Sequence, residues 1–244
     1  GREREGIREQ AELGKQGVVI DDLGQGTETT REEIIEAIVN EMGGTVEGNV
    51  ITTEDEKYEI MVKGDNSIEV VEKGQGYVDA EYKEPALAGD FEYTIDEETN
   101  TVTITKYIRT DTVVNIPETI EGRPVVELGS GSFGSWSTGI KLQSVNIPDT
   151  VQTIGDFVFL GNQLTYINIP NSVIDIEMAA FNDNQLIEEQ AYIYQRTSTG
   201  EEDKTTLVGY GGNQTEITIP GTVETIAYGA FNSASSIESV TIGG

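Results

Sequence analysis

An Ile-Pro pair recurs through the second half of the chain, at Ile116-Pro117, Ile147-Pro148, Ile169-Pro170 and Ile219-Pro220. Four of the six prolines lie in these pairs, so proline here marks one repeated event. Three residues after each pair's proline comes Ile120, Val151, Val173 or Val223. In three copies an Ile follows three later (Ile154, Ile176, Ile226) and a Phe five beyond that (Phe159, Phe181, Phe231). The first copy carries an extra EGRPV and resumes with Leu128 and Phe133. Upstream of the pairs stand Leu142-x-x-Val145-x-Ile147 and Leu164-x-x-Ile167-x-Ile169, and a last half-copy runs Ile237-x-x-Val240-x-Ile242. The clean period is 22 residues, from Ile147 to Ile169. A period of this length means stacked units that bury a core only together.

Within one unit, Val145 and Ile147 alternate with Asn146, which predicts a short strand with its apolar side chains turned inward. Proline ends the strand by removing a ladder donor. The following Val, Ile and Phe are spaced to meet the same core from the opposite wall. Asn162 and Asn184, each three residues after the Phe, are expected to satisfy backbone groups of the turns. The spacing from Ile169 to Ile219 is 50, one repeat plus a 28-residue insertion. That insertion, EEQAYIYQRTSTGEEDKTTLVGYGG, has the alternation and Gly-rich centre of a β-hairpin.

The first part of the chain lacks this period. Residues 2–16 read as a polar helix, and GVVIDDLGQGTE as a turn-rich connection. A second helix starts at a capping box, Thr30 with Glu33, carries Ile34, Ile35, Ile38, Val39 and Met42 on one stripe, and stops at Gly43-Gly44. Strands are expected at Val46–Thr52, Tyr58–Val62 and Ile68–Val71. This gives a small α+β domain over 1–72, a linker over 73–90 and the repeat domain over 91–244. A start at Gly1 rather than Met suggests that a signal or anchor lies upstream.

Composition removes whole classes of function. Net charge is −29, with 44 acidic residues against 15 basic. Nucleic-acid binding through phosphates needs clustered Lys and Arg, and so does docking on anionic lipid. With no His and no Cys there is no disulfide, no thiolate metal site and no His-dependent catalytic triad. The acidic runs lack the spacing of a Ca²⁺ loop and read as solvated turns. The reading is therefore a non-enzyme with no cofactor and no metal.

The segments IPDTVQTIGDFVF, IPNSVIDIEMAAF and IPGTVETIAYGAF, with the entry segment from Phe91 to Phe133, resemble the repeat of BspA-like (Treponema-type) leucine-rich repeat proteins. The resemblance covers about 91–244. It implies a leucine-rich repeat there, and with the patterns of the other segments the expected fold is an α+β N-terminal domain followed by a short β-rich leucine-rich-repeat solenoid with a β-hairpin insertion. In that family the position of Asn162 and Asn184 is often Cys. The Gly after Ile is kept at Gly155 and replaced at Glu177 and Ala227, which predicts altered turns there. The resemblance further implies a bacterial surface or secreted protein that adheres to host proteins, mucosal glycans or other cells. Residues 1–72 are similar to the soluble head of type IV pilin-like proteins, which implies a structural subunit of a surface filament or secretion assembly. Partners would be a surface protein or glycan, with no nucleic acid and with membrane only through an upstream anchor.

Three places are candidate binding sites. The outward positions of the repeat strands, Ser144, Asn146, Tyr166, Asn168, Glu216, Thr218, Ser239 and Thr241, would form a hydroxyl- and amide-rich ladder. Against this stands an ordinary solvated sheet face. Trp136, the only Trp, lies in GSFGSWSTG and would either stack on a ligand or fold back over the end of the solenoid. The insertion offers Tyr192, Tyr194 and Tyr210, which would either contact a ligand or pack on the solenoid.

Overall fold

Helix α1 (Arg2–Gln25) runs straight through the stretch that composition marks as a connection. The computed structural model describes residues 1–243 and resolves two compact units, Gly1–Lys83 and Glu84–Gly244. In the first unit α1 packs along helix α2 (Arg31–Met42). Gly14 faces Ala37 across this contact, and a Cβ there would touch the Ala37 carbonyl oxygen at an ordinary 3.5 Å. Packing thus carries the weak Gly- and Asp-rich turns of α1, as tertiary contact commonly outweighs propensity. Gly26, in the left-handed conformation at φ 71°, ends it. The capping box of α2 is present in full: Thr30 Oγ1 accepts from the Glu33 N–H, and Glu33 accepts from the Thr30 N–H.

Four strands follow as an antiparallel meander, β1 (Thr45–Glu47), β2 (Val50–Thr52), β3 (Tyr58–Val62) and β4 (Ile68–Glu72). The run 46–52 is thus a hairpin rather than one strand, turned at Gly48 with φ 57°. Ile34, Ile38, Ile51, Ile60 and Val62 are fully buried between the helices and this sheet.

Residues 73–83 belong to the first unit. One side chain ties them down. Arg31 donates from Nη1 to Asp79 at 2.7 Å and to the Val62 carbonyl at 3.3 Å, pairs with Glu81 through Nη2, and lies 5.1 Å from the Tyr82 ring centroid. Asn49 accepts the Asp79 N–H at 2.7 Å. From Glu84 the chain belongs to the second unit, where the Ala86 N–H reaches the Asn115 carbonyl at 2.8 Å. No hydrophobic period runs through 73–90, so the pattern alone makes it a linker.

The second unit is a β-solenoid of the repeats. It opens with an antiparallel hairpin, β5 (Phe91–Asp96) and β6 (Thr101–Tyr107). On one wall stand β7 (Val113–Asn115) and, after β8 (Thr119–Ile120), helix α3 (Ser135–Thr138) and the intervening coil, β10 (Ser144–Asn146), paired in parallel with β7. On the other wall β9 (Arg123–Leu128), β11 (Thr153–Ile154) and β12 (Asp175–Ile176) pair in parallel behind β6.

Three of the four Ile-Pro pairs start a turn. The N–H groups of Val151, Val173 and Val223 donate to the carbonyls of Pro148, Pro170 and Pro220 at 3.0–3.2 Å. The valine three residues on is where that bond closes and the chain re-enters the core. Phe133, Phe159 and Phe181 stack through the interior with centroids 5.4 and 5.3 Å apart, close to the strand spacing of about 4.8 Å.

The amides form the predicted ladder. Asn162 Oδ1 accepts the Leu142 N–H, and its Nδ2 donates to the Phe133 and Phe159 carbonyls. Asn184 repeats this with the Leu164 N–H and the Phe159 and Phe181 carbonyls.

Replacing Gly155 by Glu177 and Ala227 leaves the turn unchanged. All three N–H groups make the same bond to the preceding coil, at 2.9 Å to Leu128, Ile154 and Leu207 carbonyls. The left-handed residue of each coil stands two before the Phe instead, at Gly131, Phe157, Ala179 and Gly229.

The insertion contains helix α4 (Glu188–Ala191) and the antiparallel pair β13 (Tyr192–Arg196) and β14 (Glu202–Tyr210). It does more than hang outside the solenoid. Leu207 of β14 is fully buried and pairs in parallel with Ile226 of β16 (Thr225–Ile226), so β14 is a rung of the wall. Strands β15 (Glu216–Ile219) and β17 (Ser239–Ile242) close the described solenoid as a parallel pair.

Stability should peak in mild acid. Burial pushes the Asp79 carboxyl up despite Arg31. Burial also pushes up Glu177, with Asp156, Asp175 and Glu127 adding repulsion. A carboxyl raised in the folded state binds protons that the unfolded chain does not, so stability rises as pH falls through its folded pKa. Side-chain hydrogen bonds hold Asp55, Asp90 and Asp203 low, and backbone hydrogen bonding does so for Glu32. Their contribution is lost only below the ordinary carboxylate range of about 4. Thermal melts across pH should rise from neutral towards about 5 and fall below about 3.5. A monotonic fall from neutral pH would contradict this assignment.

Candidate binding face

The predicted outward ladder is present in two patches. On the first, Asn146 of β10 donates from Nδ2 to Asn115 Oδ1 of β7 at 2.9 Å, with Ser144 beside it half-buried. Asn115 is a face residue that the repeat alignment overlooks, although its VVNIP matches the SVNIP of the next copy. On the second, Glu216, Thr218, Ser239 and Thr241 are all exposed, in register as Glu216 with Ser239 and Thr218 with Thr241. Between the patches the sheet is interrupted. Tyr166 and Asn168 lie on an extended segment that belongs to no strand among the described residues. The insertion takes the place of the neighbouring rung there, and the Gln190 side chain bonds both the N–H and the carbonyl of Ile167, at 2.9 and 2.6 Å.

Trp136 sits on the four-residue helix α3 and is 68% exposed. Its indole rests against two glycines of its own turn. A Cβ at Gly131 would lie 2.6 Å from Cζ2, and one at Gly134 would lie 2.8 Å from Nε1. The GSFGSWSTG loop therefore lays the ring close over two of its own glycines and leaves most of it exposed, rather than sending it over the end of the solenoid.

The three tyrosines of the insertion divide. Tyr210 is 1% exposed, so it is a core residue and not a ligand contact. Its hydroxyl accepts the Gln214 N–H at 3.3 Å, and burial pushes its pKa up. The sequence misleads here because Tyr210 ends the strand that becomes a rung of the wall. Tyr192 packs on Tyr210 with centroids 5.3 Å apart and donates its hydroxyl to the Thr218 carbonyl at 2.7 Å. Tyr194 is half-buried, with a hydroxyl that has no hydrogen-bond partner among the described residues.

The acidic runs serve local turns. Asp55 accepts from Thr53 Oγ1 and the Lys57 N–H, Asp96 from the Glu98 and Thr99 N–H groups, and Asp203 from Thr205. Among the described residues no helix is long and apolar enough to cross a membrane.

No curated protein matches the chain significantly. Among solved structures, a leucine-rich repeat protein of T. pallidum is similar at 22% identity, over 64% of this chain and 71% of that one, with a TM-score of 0.44. A leucine-rich cell surface protein of Faecalibacterium prausnitzii A2-165 is similar at 25% identity, over 66% of this chain and 43% of that one, with a TM-score of 0.42. The pneumococcal vaccine antigen PcpA is similar at 15% identity, over 82% of this chain and 65% of that one, with a TM-score of 0.31. The model of the BspA type leucine rich repeat region matches in six copies, over residues 112–203 and 205–244. These two spans make up more than half of the sequence, and the chain belongs to the BspA-type leucine-rich repeat family.

Proposed function

We propose that this repeat-based binding module works outside a bacterial cell or on its surface, adhering to host proteins, mucosal glycans or other cells through the outer face of the repeats. The observation that carries the reading is Trp136, 68% exposed and lying over two glycines of its own turn. An aromatic held out of the core with little freedom to lose is what a binding anchor needs. The amide pair Asn115 and Asn146 and the exposed hydroxyls of β15 and β17 add hydrogen-bonding groups on the strands. A net charge of −29 favours neutral or basic patches on the partner and makes association with them sensitive to salt.

The test is a binding screen of the whole chain against immobilised mucins and matrix proteins, at two salt concentrations. Saturable binding weakened by about tenfold in Trp136→Ala is expected for a central aromatic anchor. Binding untouched by Trp136→Ala and Asn146→Ala would count against the face.

One observation favours the pilin-like alternative. Leu13, Ile20 and Leu23 of α1 are exposed at 60% or more, at spacings that bring them towards one side of the helix. A filament subunit would bury such a side among its neighbours. Reversible assembly in sedimentation velocity, abolished by Leu13→Glu with Ile20→Glu, would support that role.

A further inference from the structure

The interruption of the front sheet leaves a cleft, and we infer that this cleft is a binding site for an uncharged saccharide. The inference rests on the reading of the chain as a binding module and gives it a ligand class at a second place. The cavity measures about 460 Å³ and lies between the extended segment at Ile167–Asn171 and strand β13. That size falls in the range of about 300–1,000 Å³ usual for small-molecule sites.

The cleft is built into the fold rather than left by a loose loop. Gly200, at the tip of the hairpin with φ 81°, presses on the Asn171 backbone so closely that a Cβ would lie 1.7 Å from its carbonyl oxygen. Gln195 ties β13 to the preceding coil by bonding the N–H and carbonyl of Ile176 at 2.9 and 3.0 Å. Tyr192 is fixed by its bond to Thr218.

Two lining groups are held there without their full complement of partners. Tyr194 has a hydroxyl with no hydrogen bond among the described residues, and burial pushes its pKa up. Arg196 donates from Nη1 to the Gly200 carbonyl at 2.8 Å, but its buried Nε has no partner. Glu202 stands opposite Arg196 in the hairpin and acts on its charge, but no ion pair joins them among the described residues.

Charge decides the class of ligand. Arg196 and Lys204 line the cleft together with Glu189, Glu201 and Glu202. A carboxylate or phosphate would meet three anions, and an ammonium would meet two cations. A hydroxyl both donates and accepts, so a polyhydroxylated neutral ring suits facing groups of both signs. The amides of Asn168 and Asn171 serve the same chemistry, and Tyr194 offers an aromatic surface for the apolar side of a sugar ring. An extended peptide is disfavoured, because Gln190 already occupies the N–H and carbonyl of Ile167 where an added strand would pair.

The experiment is titration of the whole chain with maltotetraose, mannotriose and N-acetyllactosamine, followed by saturation-transfer NMR and backed by an array of neutral, sialylated and amino-sugar glycans. Saturable binding of a neutral glycan is expected. Tyr194→Ala and Arg196→Gln should each weaken it by about tenfold, the size of one lost charged or aromatic contact. Tyr194→Phe, which keeps the ring packing, should weaken it by a smaller factor. Far-ultraviolet circular dichroism and melting separate misfolded variants from those that have lost only the site. Absence of neutral-glycan binding across the array overturns the inference, as does binding confined to charged glycans. Neutral-glycan binding indifferent to Tyr194→Phe and Arg196→Gln in folded protein overturns it too. Retention on mucins or matrix proteins in the Trp136-dependent manner, with no glycan bound in the cleft, would sink the saccharide site alone and leave the binding face standing.

Discussion

Asn184→Ala is expected to destabilise the repeat unit by about 3 kcal/mol, because it strands three buried backbone groups whose loss costs about 1–3 kcal/mol each before relaxation. Asn184 is 3% exposed and joins consecutive coils. Its Oδ1 holds the Leu164 N–H at 3.0 Å, and its Nδ2 holds the Phe159 and Phe181 carbonyls at 2.9 and 2.8 Å. Water cannot replace the amide without opening the stack of phenylalanines beside it. Asn184→Asp separates hydrogen bonding from volume. The carboxylate keeps the size and the acceptor but faces two carbonyls, so it should cost at least as much as Ala at neutral pH. Gln185→Ala, at an exposed neighbour, should change stability by no more than about 0.5 kcal/mol. Denaturant melts of the three variants measure this. A cost for Asn184→Ala near that of Gln185→Ala would contradict the ladder.

Arg31→Ala is expected to cost the first unit about 3–5 kcal/mol, the usual penalty for removing one partner of a buried ion pair. The guanidinium is 9% exposed and holds Asp79, Glu81 and the Val62 carbonyl together, with Tyr82 across its face. Without it the Asp79 carboxyl, already pushed up by burial, loses its nearby cation. Residues 73–83 should then come away from the α2 end and the sheet. Arg31→Lys should recover only part of the loss, since one ammonium cannot reach two carboxylates and a carbonyl in the same geometry. Hydrogen exchange at Asp79–Tyr82 reads this directly. Rapid exchange there, with the repeat unit unchanged, is expected. Protection equal to the wild type would contradict the clamp.

The repeats were legible because every turn of the solenoid must bury the same positions, so Ile-Pro, Val, Ile and Phe return at fixed offsets. The roles of Asn162 and Asn184 were legible for the same reason. What the pattern could not carry depends on partners distant in sequence. Arg31 acts on residues 48 and 50 positions away, and nothing local marks 79–82 as fixed. Helix α1 continues through Gly17–Gln25 although its local composition favours a turn. In the insertion, alternation identified a hairpin, but alternation has no way to say that β14 becomes a rung of the wall. That one fact buries Tyr210, interrupts the front sheet at Tyr166 and Asn168, and opens the cleft beside Tyr194. The outward ladder alternates as expected in β10 and β15, whereas all four residues of β17 are exposed, and alternation could not show the gap between strands.

The account's central claim is that the repeat unit binds through its outer face. The most direct measurement is hydrogen–deuterium exchange of the whole chain, free and saturated with whichever mucin or matrix protein retains it. The account predicts added protection in peptides spanning Val113–Asn115, Gly134–Asn146 and Glu216–Thr218, with residues 1–83 unchanged. Protection confined to residues 1–83 would contradict it and transfer the binding role to the helical unit.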